Sequence, residues 1–394
     1  MSDWNSYEAL LTEGYRECAK LTWRYGTTYF WGAALLAKPQ RKHVHAIYAL
    51  CRLADDIVDL PGEPVDLWAW TGPAQRINNS GASTSSAHIS GSAEISNNAG
   101  ASTGSAHIPT EPEPTLPDPE PIGPELDEEL EFDASTSSAH MTKTSSSHIP
   151  TVGRRLEAFA EEFRTSLASG GSDDAVMAAI VHTVITCRIP QEYFDRFFGA
   201  MAMDLTTTSY ETWEDLRTYM EGSAAVIGEM MLPVLEPVGR AARAPARSLG
   251  LAFQLTNFLR DIDEDLDRGR VYLPQDDLRL FEVDVGRRTV TPEWRAFLAY
   301  EIERNRALYS FADTGIAMLP SRSARCVGTA RVLYAQILDE IERNGYDVFS
   351  QRARVPTPLK AATAARIMVT GPRRLKKQAE LYQRRSTTDV TQDT

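Results

Sequence analysis

The sequence lacks long apolar runs and closely spaced cysteines. No apolar stretch approaches the ~18 to 20 residues that a membrane-spanning helix needs, and the first residues, MSDWNSYEALLTEGYREC, show no cationic start followed by an apolar stretch. The four cysteines, at positions 18, 51, 187 and 326, are too far apart for a CxxC motif or a dense disulfide framework. These absences favour a cytoplasmic globular protein with reduced thiols over a membrane-spanning or disulfide-stapled secreted protein.

Basic residues are nearly absent from one long segment. Residues 78–150 contain eleven acids and only Lys143 as a base, so this segment alone carries −10 of the formal net charge of −13. Its Ser, Thr, Ala, Gly and Pro content cannot bury enough apolar surface to offset the entropy of ordering the chain. We therefore predict a low-complexity, disordered insert in a single domain formed by residues 1–77 and 151–350, followed by a basic C-terminal helix and tail at 351–394.

Apolar residues outside the insert recur with helical spacing. Leu156, Phe159, Phe163 and Leu167 follow the i, i+3, i+4 pattern, which stops at Gly170 as a C-terminal cap would require. Runs that alternate with a period of two are hard to find. The expected fold class is all-α.

A first acidic cluster lies in RLADDIVD. Asp55 and Asp59 are four residues apart, so on a helix they project from one face, and Tyr48 and Arg52 continue that face at the same spacing. Two carboxylates one turn apart repel each other unless a cation bridges them, and oxygen ligands suit Mg²⁺. Alone, this motif is weak, because most such pairs lie on solvated helix faces.

A second acidic cluster lies in QLTNFLRDIDEDLDRGRVYLP. Asn257, Asp261 and Asp265 recur every four residues, and Gln254 joins them at about one turn earlier. A charged surface helix would explain the acids but not the apolar flank LAFQLTNFL, which indicates that the helix is mostly buried. Burying several acids without a cation is costly.

The two clusters together predict a site for several Mg²⁺ ions that holds a diphosphate group. Diphosphate leaves only when its charge is neutralised, which metal ions and arginines can do. The carbocation that remains must be shielded from water, and an apolar cavity inside a helical bundle would provide that shielding.

These motifs resemble those of the squalene/phytoene synthase family. The block YGTTYFWGAALLAKPQRKHVHAIYALCRLADDIVD is similar to the first family motif, the second acidic cluster to the second, and DLTTTSYETWEDLRTYMEGSAAVIGEMMLPVL to the region between them. The C-terminal blocks GIAMLP and LDEIERNGYDVFSQRARVP resemble the phytoene-forming branch. Where many relatives carry Ser-Lys/Arg-Ser-Phe, this chain has Gly26-Thr27-Thr28-Tyr29 and so lacks a cation there.

The resemblance implies an isoprenoid-synthase helical bundle with a central apolar cavity and a site that binds Mg²⁺, or Mn²⁺ in its place. The implied metal ligands, of which the four aspartates are also the catalytic residues, are Asp55, Asp59, Asn257, Asp261 and Asp265. The implied contacts to the prenyl diphosphate substrate are Thr28, Tyr48, Arg52, Tyr219, Gln254, Arg260 and Arg270.

The expected activity is the head-to-head condensation of two geranylgeranyl diphosphates, through prephytoene diphosphate, to phytoene, without NADPH. Two alternatives stay open: a squalene, dehydrosqualene or presqualene diphosphate synthase that uses farnesyl diphosphate, and a non-catalytic assembly homologue of the same fold. No nucleic-acid motif is present, and the sequence does not reveal the oligomeric state. The basic C-terminal segment leaves open a peripheral association with the inner face of a membrane.

Replacing residues 80–148 by a short Gly/Ser linker should leave folding and turnover largely unchanged. The reason is that the entropy of closing a loop changes by only ~0.6 kcal/mol per doubling of its length. Circular dichroism and a product assay on the shortened protein would check this. A folded but inactive variant would instead assign the insert a role in substrate access.

Overall fold

The computed structural model describes residues 2–59 and 149–372, with residues 2–5, 27–29 and 149–151 described by their backbone only. All of these residues belong to one compact unit. The predicted disordered insert, apart from its last two residues, and the basic tail beyond residue 372 lie outside the described residues. The predicted domain boundaries therefore stay predictions.

The described part of the chain is overwhelmingly α-helical, which confirms the predicted fold class. Its thirteen α-helices are α1 (Ser2–Tyr25), α2 (Thr27–Ala33), α3 (Lys38–Asp59), α4 (Ile149–Ser169), α5 (Ala175–Cys187), α6 (Gln191–Met203), α7 (Trp213–Met220), α8 (Val226–Leu235), α9 (Arg243–Asp267), α10 (Gln275–Leu280), α11 (Pro292–Ile316), α12 (Ser321–Arg343) and α13 (Thr357–Thr370). Two short strands, β1 (Ser209–Tyr210) and β2 (Val271–Pro274), pair in parallel. None of the described helices combines the length and the apolar character needed to cross a bilayer.

Local sequence signals account for the helix boundaries. In α4, Leu156, Phe159 and Phe163 are buried, and the helix stops before Gly170, whose φ of +81° suits a C-terminal cap. The capping box of α7 pairs Thr212 with Asp215, whose backbone and side chains exchange hydrogen bonds. Each boundary thus satisfies backbone groups that a helix end would otherwise leave unpaired.

Helix α9 runs through the centre of the fold and packs on α8, α11 and α12. Its 25 residues span ~37 Å. Thr256 in its middle is fully buried, and its hydroxyl lies 2.8 Å from the Tyr309 hydroxyl and 2.9 Å from Asn305 Nδ2. This buried hydrogen-bond network fixes α9 against α11, because breaking it would leave polar groups unpaired inside the core.

Glycines let α9 approach its neighbours closely. A Cβ placed at Gly250 would lie 2.3 Å from the carbonyl oxygen of Ala224, and one at Gly228 would lie 2.2 Å from the carbonyl oxygen of Ala246. Both distances are far below van der Waals contact, and the obstructing atoms are backbone atoms that cannot move aside independently. The backbones of α8 and α9 therefore touch, which only glycine permits here.

Gly250→Ala should lower the free energy of unfolding by about 1–3 kcal/mol, since the added methyl group forces α9 away from the backbone at Ala224, just before α8. Gly199→Ala is the matched control, because no atom lies within 4 Å of a Cβ at this position in α6. That control should be neutral or stabilising by up to about 1 kcal/mol. Denaturant titration of both variants checks the prediction, and equal stabilities would contradict the close helix contact.

Candidate active site

A cavity of about 990 Å³ lies between α3, α8, α9, α11 and α12. Its volume is at the upper end of the ~300–1,000 Å³ found for small-molecule sites. Residues of α9 line it from Ala242, just before the helix, to Arg268, just after it. One end therefore holds the acidic cluster of α9, and the other lies beside the small and apolar residues Pro245, Ala246 and Leu249.

The structure brings the sequence-predicted site residues together. Eleven of the twelve line this cavity: Tyr48, Arg52, Asp55, Asp59, Tyr219, Gln254, Asn257, Arg260, Asp261, Asp265 and Arg270. The twelfth, Thr28, lies in α2 among the residues whose side chains are not described. Residues 211 positions apart in the chain, such as Asp59 and Arg270, are in direct contact.

The first acidic cluster occupies the last two turns of α3. The carboxylate of Asp55 is accessible from the cavity. The protein around it nevertheless displaces much of the water that would otherwise solvate its charge. This burial, together with the neighbouring charge of Asp59, raises the pKa of Asp55 to about 8. The negative charge of Asp59 is balanced by Arg270, whose Nη1 donates a hydrogen bond to the Asp59 carboxylate at 2.8 Å. Arg52 pairs with Asp56, which is outside the predicted ligand set.

The second acidic cluster surrounds a kink in α9. Asp261 has φ −105° and ψ 15°, outside the helical region, so the four-residue spacing is not strictly helical here. Burial would raise the pKa of Asp261, but hydrogen bonds and charge from Arg260 and Arg352 lower it. Burial and the charge of Asp261 raise the pKa of Asp265 to about 7.

The donor set fits a hard divalent cation such as Mg²⁺. The side-chain oxygen of Asn257 is buried without a hydrogen-bond partner among the described residues, and Asp55 has a strongly raised pKa, so both have an unmet need for a cation. Within the described ranges, no three His, Cys, Asp or Glu side chains converge in ligating geometry. At Asp59 and Asp261, guanidinium groups occupy carboxylate oxygens.

Asp204 is a site residue that sequence reasoning missed. It is 7% exposed, lines the cavity, accepts a hydrogen bond from the Tyr272 hydroxyl and lies 3.2 Å from Nη1 of Arg270. Arg270 thus bridges Asp59 and Asp204, which fixes its guanidinium at the mouth of the cavity. The only sequence signal was an acid directly after an apolar helix.

A stack of aromatic rings lies beside the ion pair of Arg270 and Asp204. The Phe258 and Tyr272 rings are 4.2 Å apart and nearly parallel, at 5°. Tyr219 stacks on Tyr272 at 5.9 Å and 17°. All three residues line the cavity, and aromatic rings can stabilise a nearby cation through the partial negative charge of their faces.

Three cations of the C-terminal segment were also missed. Arg352, Arg354 and Lys360 line the cavity. Arg352 makes a bidentate contact to Asp261, with Nε at 2.7 Å and Nη2 at 2.8 Å. The sequence showed that this segment is basic but not that it folds back over a helix that ends more than eighty residues earlier.

A π-helical turn, Glu221–Ala225, joins α7 to α8 and contributes to the cavity wall. Its Ser223 lines the cavity, is 5% exposed, and has a hydroxyl without a hydrogen-bond partner among the described residues. Arg247 of α9 pairs with Glu221 and holds the turn in place. Such turns are frequent at functional sites, because they redirect side chains that a regular helix would point elsewhere.

The fold and the site together define a helical bundle that can bind a polyanionic head group at one end of a long apolar cavity. Comparison with known proteins agrees with this description. The chain matches the squalene/phytoene synthase family over residues 23–80 and 138–359, and it belongs to this family. The resemblance drawn from the two acidic motifs is thereby confirmed.

Individual relatives are similar to this chain over half of its length or more. It is 29% identical over 364 residues to the 15-cis-phytoene synthase of Synechococcus elongatus, a match that covers 89% of this chain and 90% of the relative. It is 39% identical over 213 residues to the phytoene synthase of Arthrospira platensis, covering 50% of this chain and 69% of the relative.

Solved structures with the same fold include two synthases. A dehydrosqualene synthase superimposes with a TM-score of 0.61 at 18% identity, covering 92% of this chain and 96% of that one. The squalene synthase HpnC from Alicyclobacillus acidocaldarius gives a TM-score of 0.57 at 22% identity, covering 86% of this chain and 96% of that one. These similarities establish the fold.

Asp55→Asn should lower turnover by at least about a hundredfold, with helix content unchanged, because the amide cannot supply the negative charge that a bound metal ion requires. Asp263→Asn on α9 is the matched control, since Asp263 pairs with Arg288 at 2.8 Å and does not line the cavity. A binding measurement tests the site independently of turnover. Mg²⁺ with pyrophosphate should raise the melting temperature of the wild type and the control but not that of Asp55→Asn. Equal shifts would contradict the metal-site assignment.

Proposed function

We propose that this protein is a phytoene synthase, which condenses two molecules of geranylgeranyl diphosphate head to head, through prephytoene diphosphate, to phytoene. The observation that carries the proposal is the polarity of the cavity: two acidic helix faces meet arginines at one end, and an apolar channel continues along α9. The similarity to phytoene synthases over about nine tenths of the chain supports it.

Two groups of residues would hold Mg²⁺ in this proposal. Asp55 and Asp59 of α3 would serve one diphosphate, and Asn257, Asp261 and Asp265 of α9 would serve the one that ionises. Bound Mg²⁺ supplies Lewis acidity, which makes diphosphate a better leaving group.

The arginines can change partners when the substrate binds. Arg260 and Arg352 hold Asp261, and Arg270 holds Asp59. A diphosphate group can accept two parallel hydrogen bonds from a guanidinium, as a carboxylate does. The carboxylates released in this exchange would then be available to hold a metal ion.

The length of the apolar channel favours a C20 chain. Pro245 and Asp261 both line the cavity and are sixteen residues apart on α9, so they lie ~24 Å apart along the helix. An extended geranylgeranyl chain is ~20 Å long, from C–C bonds of ~1.5 Å, and a farnesyl chain is ~14 Å long. A C15 chain would leave the far end of the channel unfilled, and unfilled apolar space forfeits contact energy.

The walls of the channel suit a carbocation reaction. The aromatic rings of Tyr219, Tyr272 and Phe258 line the cavity beside its acidic end, and the apolar side chains beyond them would keep out water that would trap the cation as an alcohol. The reaction ends with the loss of a proton, for which a weak base beside the cation suffices. A hydride donor such as NADPH is not part of the proposed reaction.

A synthase that uses farnesyl diphosphate is the second candidate, and its support is the fold similarity to the dehydrosqualene synthase. A non-catalytic homologue of the same fold is disfavoured because all five ligand positions carry oxygen ligands.

The purified protein with Mg²⁺ and geranylgeranyl diphosphate should give a C40 hydrocarbon, and NADPH should not change its rate of formation. Mass spectrometry of the extracted product after incubation with each prenyl diphosphate in turn, with and without NADPH, checks this. A C30 product that becomes squalene only with NADPH would refute the phytoene proposal and retain the head-to-head reaction. Absence of product with both substrates would support the non-catalytic alternative.

A further inference from the structure

Two histidines of the helical bundle approach one and the same atom. The chain has seven histidines, of which four lie in the acidic insert and three, His43, His45 and His182, lie in the described helices. Nδ1 of His182 in α5 lies 2.8 Å from the hydroxyl oxygen of Tyr15 in α1, and Nδ1 of His43 in α3 lies 3.3 Å from it. The two imidazole rings are nearly parallel, at 9°, and each meets the Tyr15 ring edge to face.

A fourth polar atom completes this group of side chains, which is called the histidine cluster below. The hydroxyl oxygen of Thr183 lies 2.9 Å from Nδ1 of His43 and 3.1 Å from the hydroxyl oxygen of Tyr15. Neighbouring ligand atoms of a tetrahedral Zn²⁺ ion are ~3.4 Å apart, since its bonds to nitrogen and oxygen are ~2.1 Å long. The four contacts of the cluster are slightly shorter than this, so small outward shifts of the side chains would make room for an ion.

Both imidazoles are held in the uncharged form, which is the form that ligates metal. Burial and the neighbouring charges of Lys42 and His182 lower the pKa of His43 to about 4. Burial and Lys42 also lower the pKa of His182. No carboxylate of the described residues forms an ion pair with either ring. Nothing around the histidine cluster therefore favours imidazolium.

The phenol of Tyr15 is a third donor whose charge a metal ion would change. Burial raises the pKa of Tyr15, so its hydroxyl is neutral in the cluster as it stands. The ammonium nitrogen of Lys42 lies 4.6 Å from the centre of the Tyr15 ring. A bound dication together with Lys42 would favour the phenolate, which is a stronger ligand than the phenol.

The histidine cluster lies apart from the candidate active site. None of its four residues lines the cavity, and His43 precedes Asp55 by twelve residues, which is ~18 Å along α3. Helices α1, α3 and α5 pack on one another and each supplies at least one donor. His182 is only partly buried, and Thr186, one turn further along α5, is exposed. An ion could therefore reach the cluster from solvent without passing through the cavity.

We propose that the histidine cluster is a binding site for one first-row transition-metal ion such as Zn²⁺, held by Nδ1 of His43 and His182 and by the oxygens of Tyr15 and Thr183. Imidazole nitrogen suits such ions, whereas Mg²⁺ prefers oxygen ligands. Two of the four donors are hydroxyl groups, which agrees with the finding that no three His, Cys, Asp or Glu side chains converge within the described ranges. The bound ion ties α1 and α5 to α3 and stabilises the bundle.

The full-length protein, freed of metal with a chelator and held in excess Mg²⁺ to occupy carboxylates, should bind Zn²⁺ in equilibrium dialysis. Zn²⁺ should also raise its melting temperature. His43→Gln and His182→Gln each keep an amide that can form hydrogen bonds, and each should weaken Zn²⁺ binding by at least about tenfold. Tyr15→Phe removes a single oxygen atom and should weaken it in the same direction. Melting temperatures measured without Zn²⁺ show whether each variant is folded.

Co²⁺ is the second probe, because a four-coordinate Co²⁺ ion absorbs visible light far more strongly than a six-coordinate one. Its absorption should appear in the wild type and be lost in the two histidine variants. The matched control replaces the four insert histidines, His88, His107, His140 and His148, by Gln. This control should bind Zn²⁺ and absorb with Co²⁺ as the wild type does.

Three outcomes would overturn the proposal. The first is a wild type that neither binds Zn²⁺ nor gives the Co²⁺ absorption, which would leave the histidine cluster as a network of hydrogen bonds. The second is unchanged affinity and absorption in every folded variant of Tyr15, His43 and His182. The third is loss of both signals in the insert control, which would assign the ion to the insert.

Discussion

The carboxylates at the mouth of the cavity repel one another, and this repulsion determines the residues around them. Asp55 and Asp59 on α3 face Asp261 and Asp265 on α9, and the pKa values of Asp55 and Asp265 are raised by burial and by their acidic neighbours. The fold compensates with arginines. Arg270 bridges Asp59 and Asp204, which are 145 positions apart in the chain. The site is thus an ion-pair network in which arginines offset the charge of closely spaced carboxylates.

Helix α9 connects this charged end to the rest of the cavity. Its last turns carry acids, its middle is fixed by Thr256 to α11, and its first turns carry small residues that leave room for a chain. Gly250 allows its backbone to touch the π-helical turn before α8. One helix therefore positions both the charged end and the apolar end of the cavity.

The sequence predicted the parts of the site that depend on local periodicity. Asn257, Asp261 and Asp265 could be assigned to one face because four residues are close to one helical turn, and the apolar flank of α9 showed that this face is enclosed. Arg352 and Asp204 could not be assigned, because their roles depend on contacts between distant segments. The kink at Asp261 was equally hidden, since no proline or glycine marks it. The far end of the channel needed the structure, because small residues such as Ala246 have no distinctive pattern.

The net charge of the chain says little about the charge at the cavity. The chain carries −13, but residues 78–150 account for −10. The cavity is lined by six acids and by eight cations, among them Arg260, Arg270 and Arg352. At physiological ionic strength, charges are screened over ~8 Å. An anionic group in the cavity would therefore respond mainly to the charged groups that line it, so an acidic protein can accommodate an anion there.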